Sequence, residues 1–261
     1  MSALIFDCDG VLADTEQFGH LRAFNELFEQ EGLPLHWSVE DYAIKVKIGG
    51  GKERLKSILT EEFIAEAGLP HDADELTELV ARWHKRKTQI YTDLVGSGVM
   101  PGRPGIKRIS EEALHAGWDL AVASTSAEPS VRAVLKHAVG PELAEHFQVY
   151  AGDVVPAKKP APDIYLLALK DMNLDPQDVV VVEDSENGMR ASVAAGLPTV
   201  VTVSTFTRSE NFSPASLVVT HLGDSGSGEK AEVLANPHSI DMDGLVTLAH
   251  LQEIIQSHRG A

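Results

Sequence analysis

The sequence predicts an α/β fold, a three-layer core on a mostly parallel sheet, with a helical cap domain inserted after the first strand. Three observations carry that reading. Short apolar runs recur as strand candidates at residues 3 to 6, Leu120 to Ala123, Val149 to Ala151, Val179 to Val182 and Thr199 to Val203. Helical patterns bounded by Gly and Pro separate the later runs, and such βα alternation folds as a parallel sheet with helices on both faces. Residues 17 to about 92, by contrast, show helical spacing only.

The first run ends in Asp7-Cys8-Asp9-Gly10. Side chains alternate along a strand, so both carboxylates can leave its end in one direction, and Asp9-Gly10 lets the chain turn sharply out of the sheet. The inserted stretch reads as helices over 18 to 31, 51 to 67 and 73 to 92, with Leu76, Leu79, Val80 and Trp83 at three- and four-residue intervals. Linkers near Asp14-Thr15 and Gly96-Ser97-Gly98 would hinge it as a lid over the carboxyl edge of the sheet. The expected division is 1–15 and 93–261 for the core and 16–92 for the cap.

The run Val179 to Val182 has no polar alternation, as a central strand buried on both faces requires. Together these elements describe a Rossmann-like core. Gly223 to Ser239, with its GDSGSGE, reads as a mobile loop ahead of a final helix with Leu245, Leu248, Leu251, Ile254 and Ile255 on one side.

A chain of 261 residues with 43% hydrophobic content can bury one large core or two unequal ones. A formal charge of −17 opposes nucleic acid and anionic membranes as partners, and makes any phosphate site depend on local positive charge or metal. Cys8 is the only cysteine, which excludes an internal disulfide and a cysteine-built metal site. Without a basic-then-apolar leader or a membrane-length apolar run, the expected location is cytoplasmic, or an organelle stroma if a transit peptide has been removed.

Open parallel sheets bind ligands outside the carboxyl ends of their strands. Four groups sit there: Asp7 and Asp9; Ser124, Thr125 and Ser126; Lys158 and Lys159 before Pro160 and a helix starting near Asp163; and Glu183, Asp184 and Ser185. Phosphoryl transfer uses these residue types together. Attack by one carboxylate splits a hard hydrolysis into two easier steps, and a second acid protonates the leaving oxygen. Two carboxylates repel a phosphate dianion unless Mg²⁺ and a fixed cation such as Lys159 offset the charge.

The segment DCDGVLADTE at residues 7 to 16 resembles the first motif, DxDGVxxDT, of the haloacid dehalogenase-like phosphatases. The Ser-Thr-Ser, Lys-Pro and Glu-Asp motifs follow in that family's order. The resemblance implies Asp7 as nucleophile, Asp9 as general acid/base and Ser124, with Thr125 and Ser126, on the phosphate. It implies Lys159 as the stabilising cation, since the family lysine directly precedes the proline, and leaves Lys158 facing solvent. It places Mg²⁺ on Asp7, the Asp9 main chain, Glu183 and Asp184.

The stretches TEQFGHLRAFNELFEQEGL and KIGGGKERLK are similar to the CbbY-type branch of that family. This implies a phosphatase of a small sugar phosphate or bisphosphate, with xylulose-1,5-bisphosphate as a candidate. It also makes Glu16 and His20 substrate contacts. GGGK lacks the following Ser or Thr and the preceding strand of a nucleotide-binding loop, so Gly50 and Gly51 suit instead a loop that approaches a substrate closely. Lys45, Lys47, Lys52, Arg54 and Lys56 form either a solvated helix face or a second phosphate site through Lys52 and Arg54. Arg82, Lys85, Arg86 and Lys87 read as solvated surface. The alternatives are a sugar phosphomutase of the β-phosphoglucomutase type and, from another class, a catalytically silent binding protein.

Overall fold

The computed structural model describes residues 2–97 and 102–260, with Gln17 described by its backbone alone. The chain divides into two compact units, Met1–Asp14 with Pro101–Ala261, and Thr15–Met100. The first holds a seven-stranded sheet: β1 (Ala3–Phe6), β2 (Asp119–Ser124), β3 (Phe147–Ala151), β4 (Val179–Glu183), β5 (Thr199–Thr202), β6 (Leu217–Val219) and β7 (Val233–Ala235). The order is β3-β2-β1-β4-β5-β6-β7, parallel throughout except for β7 against β6. β4, the valine strand, lies at the middle and is buried along its whole length. The chain runs outward from β1 to β3 and then returns to the other side of β1, so the strand order reverses at β1/β4. At such a reversal the loops diverge and leave a crevice at the carboxyl ends.

In the helical unit a π-helical turn (Glu16–Leu21) leads into α1 (Arg22–Gln30), followed by α2 (Val39–Lys45), α3 (Gly51–Lys56), α4 (Glu61–Glu66) and α5 (Ala73–Gly96). The sheet unit carries α6 (Ile106–His115), α7 (Glu128–Val139), α8 (Pro141–Ala144), α9 (Asp163–Asp171), α10 (Glu186–Ala194) and α11 (Leu248–Arg259). Period-two alternation sorts the strand side chains. Ala3, Ile5, Ala121, Ala123, Val179 and Val181 share one face with residues of α9 and α10. Leu4, Phe6, Leu120, Val122, Val180 and Val182, all buried, turn to the other, where α6, α7 and α11 pack on β2, β3 and β4. Three layers result, and among the described residues no helix is long and apolar enough to cross a membrane.

Several expected boundaries move. β6 and β7 were not predicted, because three-residue strands lie below the length at which periodicity is legible. β7 falls inside the stretch read as a loop over Gly223 to Ser239. The last helix begins only at Leu248, leaving Leu245 outside, because the Thr247 hydroxyl accepts from His250 N–H at 3.4 Å and caps it. The helix read over 51 to 67 is two, since Thr60 caps α4 by accepting from Phe63 N–H at 3.2 Å. α2 was missed despite a capping box, in which Asp41 N–H donates to Ser38 Oγ and Ser38 N–H to Asp41 Oδ2, both at 3.0 Å. The boundary expected at 92/93 falls inside α5, whose buried Ile90, Tyr91 and Val95 continue its apolar stripe. Gly96 and Ser97 close that helix, and Gly98, the rest of the expected linker, lies outside the described residues.

Candidate active site

The four strand-end groups of the sheet unit converge. Asp7 extends the β1/β4 ladder by one residue, its N–H donating to Val182 O at 2.9 Å, so its carboxyl stands level with the end of β4. Glu183 is the last residue of β4 and Asp184 the first beyond it. Ser124 closes β2, buried, with its Oγ accepting from Ser126 N–H at 3.1 Å. Lys159 reaches in from the segment after β3: its Nζ donates to Asp7 Oδ1 at 2.7 Å, Glu183 Oε1 at 2.6 Å and Ala123 O at 2.8 Å. All three ammonium donors are thereby used. Lys158 is not the solvent-facing residue expected of it, being half-buried and paired with Asp153 at 3.3 Å.

Burial sets the electrostatics. It pushes the Asp7 carboxyl up, Lys159 holds it down, and Glu183 and Asp9 push it up again, leaving it near 7. Asp184 is raised well above the usual carboxylate range, by burial first and then by Asp7. Burial alone would lower Lys159, but Asp7 and Glu183 overcome it and hold the ammonium firmly protonated. Two buried carboxylates, Asp7 and Glu183, thus share one lysine, while Asp184 feels Arg103. Each of Asp7, Glu183 and Asp184 offers an oxygen within 4.8 Å of the others, an all-oxygen donor set suited to a hard divalent cation such as Mg²⁺. Glu183 is the most committed of the three, since Oε1 accepts from Lys159 and Tyr165 while Oε2 accepts from Asp184 N–H at 3.3 Å. The Asp9 side chain stands outside this cluster and accepts from Ser126 Oγ.

Two glycines make the approach possible. Gly10 has φ +77°, and a Cβ there would strike the Asp184 carboxylate, so the turn after Asp9 backs directly onto that acid. A Cβ on Gly188 would strike the Glu183 carboxylate, so the first turn of α10 closes on it in the same way. Tyr165, whose hydroxyl donates to Glu183 and whose ring lies 5.0 Å from Lys159 Nζ, was missed by sequence reasoning. Its only signal was its place in KKPAPDIY, on the buried face of α9.

The helical unit contains the remaining expected site residues, and here the structure corrects the reading of Arg54. Arg54 is only 8% exposed, not part of a solvated cationic face. Its guanidinium grips Glu16 at 3.1 and 3.3 Å, Ile48 O at 3.0 Å, Val46 O at 3.2 Å and the Tyr42 hydroxyl. All five donors are spent, which leaves none for a second phosphate. Glu16, buried and also bonded by Tyr42, is consumed by the same network. Lys87 is likewise buried rather than solvated, against His20 Nδ1 and over the rings of Phe24 and Tyr91, while His20 stacks on Tyr91 at 4.1 Å. Gly50 has φ +100° ahead of α3; Gly51 and Lys52 are half-buried in its first turn. Lys45 donates to Ser57 Oγ at 3.0 Å. Arg54→Ala would leave Glu16 buried without the guanidinium that offsets its charge, so a loss of about 3–5 kcal/mol of unfolding free energy is expected, measurable by denaturant melts. A loss below 1 kcal/mol would contradict the assignment of Arg54 to the fold.

Comparison with known proteins gives a consistent neighbourhood. Residues 1–196 match the family model described as haloacid dehalogenase-like hydrolase. A CBBY-like protein of Arabidopsis thaliana is 44% identical over 85% of this chain and 70% of its own length. Protein CbbY, plasmid, of Cupriavidus necator is 43% identical over 86% of this chain and 87% of its own. The crystal structure of a mutant CbbY from Rhodobacter sphaeroides in complex with xylulose-(1,5)bisphosphate superposes with a TM-score of 0.76 at 36% identity, covering 87% of this chain and 99% of that one.

Proposed function

The chain belongs to the haloacid dehalogenase-like hydrolases and is a phosphatase; on that premise we propose that it is a Mg²⁺-dependent phosphatase of a small sugar bisphosphate, working through an aspartyl-phosphate on Asp7. The observation that carries the reading is Asp7 itself, a carboxylate at a strand end 2.7 Å from a buried lysine and within an all-oxygen acid cluster. An Asp7 oxygen attacks phosphorus, the P–O ester bond breaks, and Asp9 gives its proton to the departing sugar oxygen. Water then attacks the same phosphorus and passes a proton to Asp9. The bond to Asp7 breaks and inorganic phosphate leaves.

Lys159 keeps the attacking oxygen oriented and holds positive charge against the transferring group. The turn of Ser124, Thr125 and Ser126 offers hydroxyl and amide donors to phosphate oxygens. Asp7 and Asp184, with the Asp9 main chain, would hold Mg²⁺, which when bound offsets the negative charge of acids and phosphate. Glu183 serves chiefly to fix Lys159. Of the basic cluster around Gly50 and Gly51, Lys52 remains the candidate for a second phosphate. The likeness to a CbbY crystallised with xylulose-(1,5)bisphosphate supports a substrate of that kind.

A phosphate-release screen across sugar mono- and bisphosphates tests this. The expected result is fastest release from a ketopentose bisphosphate, abolished by chelator and restored by Mg²⁺. Release undiminished after exhaustive chelation, or none from any sugar phosphate with Mg²⁺ present, would remove the proposal.

A further inference from the structure

The loop that carries Asp9 is held from behind by a residue outside every motif. Arg103 lies where the chain re-enters the sheet unit, its own N–H donating to Leu12 O at 2.9 Å while neighbouring Gly102 bridges to Ala13. One terminal nitrogen of its guanidinium donates to Gly10 O and, at 2.9 Å, to Thr202 O; the other donates to Val203 O at 2.7 Å and to Thr220 O. Four carbonyls from three segments converge on one planar group: the turn after β1, the end of β5 and the residue after β6. Only a rigid fork spans that arrangement, because an ammonium offers its donors from a single atom.

Gly10 is the position whose Cα backs onto the Asp184 carboxylate. Where its carbonyl is pinned therefore fixes both how closely the turn approaches that acid and where Asp9 stands. None of the four carbonyl partners is charged, so the arginine's field falls on the nearby carboxylates. Burial lowers its pKa, and Asp184 and Asp14 act the other way.

We propose that Arg103 is a positioning residue of the active site, clamping the Asp9–Gly10 turn to the ends of β5 and β6 so that the turn and Asp184 keep the spacing a cation and phosphate require. This rests on the phosphatase reading above. Arg103→Lys keeps the charge and loses the fork. In that variant kcat should fall about 10- to 100-fold and Mg²⁺ affinity, titrated by calorimetry without substrate, should weaken about 10-fold or more, with KM changed less than about 3-fold. Circular dichroism and a cooperative melt should report a retained fold.

Wild type and Asp184→Asn titrated alongside separate the two levels of inference. If wild type binds no Mg²⁺, or Asp184→Asn binds it equally well, the Mg²⁺-dependent reading itself fails. If wild type binds through Asp184 and Arg103→Lys matches it in affinity and kcat, the clamp alone is wrong. Turnover lost at unchanged Mg²⁺ affinity, or a rise in KM alone, would also overturn it. A variant that does not fold would make Arg103 a requirement of the fold rather than of the site, and would overturn it equally.

Discussion

Asp7→Asn should reduce turnover by on the order of 10⁴-fold or more, to background, while leaving the protein folded. The amide is isosteric and cannot form the acyl phosphate, while the ladder bond from residue 7 to Val182 O is made by the backbone and survives the change. A variant retaining a tenth of the activity would end the covalent mechanism. The same substitution has a second signature in metal-free protein. Burial holds the Asp7 carboxyl near 7 against an ordinary 3.8, so between those values the folded protein binds a proton that the unfolded chain has released. Stability from this group is therefore fully present below about pH 4 and is lost as pH rises toward 7. The loss is on the order of 4 kcal/mol, since each tenfold change in an acid constant between folded and unfolded chain is worth about 1.36 kcal/mol. Asn has no such proton. In chelator, the melting temperature of wild type minus that of Asp7→Asn should fall from pH 4.5 to 7 and flatten above it. A difference independent of pH would show that the carboxyl is not raised.

What the sequence reveals follows the reach of the interactions involved. The strand ends of the candidate site were legible because each is local: an apolar run of a few residues, then Asp7, Ser124 or Glu183, with Lys159 fixed by its proline. β4 was legible because four consecutive valines admit no solvent-facing side. Arg54 misled because a cation beside glycines and lysines reads as surface. Its partners Glu16, Tyr42 and the carbonyls of Val46 and Ile48 are brought to it only by helix packing. Lys87 failed for the same reason, since nothing in ARWHKRKTQI separates a buried lysine from its exposed neighbours. Arg103 was invisible at any level of pattern, because its guanidinium is held chiefly by four main-chain carbonyls. Carbonyls carry no sequence signal.

Removal of Lys159 should be nearly as severe as removal of the Asp7 carboxylate, and for two separable reasons. Lys159→Met keeps the length of the side chain, which is only 7% exposed, but deletes three hydrogen bonds and the ammonium that faces both Asp7 and Glu183. The transferring phosphoryl group then meets Asp7 and Glu183 without the ammonium that offset their charge, so kcat should fall by about 10³-fold, the order associated with one well-placed electrostatic donor in a dry site. Stability suffers independently, because breaking a buried ion pair from one side strands the other. Glu183 keeps Tyr165 and the Asp184 amide, whereas Asp7 loses its only charged hydrogen-bond donor among the described residues. A loss of about 3–5 kcal/mol is expected in metal-free protein. That loss should grow with pH, since without the ammonium the Asp7 carboxyl moves further up and the window in which ionisation opposes folding widens. Mg²⁺, supplying positive charge to the same carboxylates, should restore a larger share of stability to Lys159→Met than to wild type, while kcat stays low. Chemical denaturation at pH 5 and pH 8, with Mg²⁺ and with chelator, measures all four combinations. Activity within 10-fold of wild type, or a stability deficit that shrinks as pH rises, would show that Lys159 is not the cation on which this acid cluster depends.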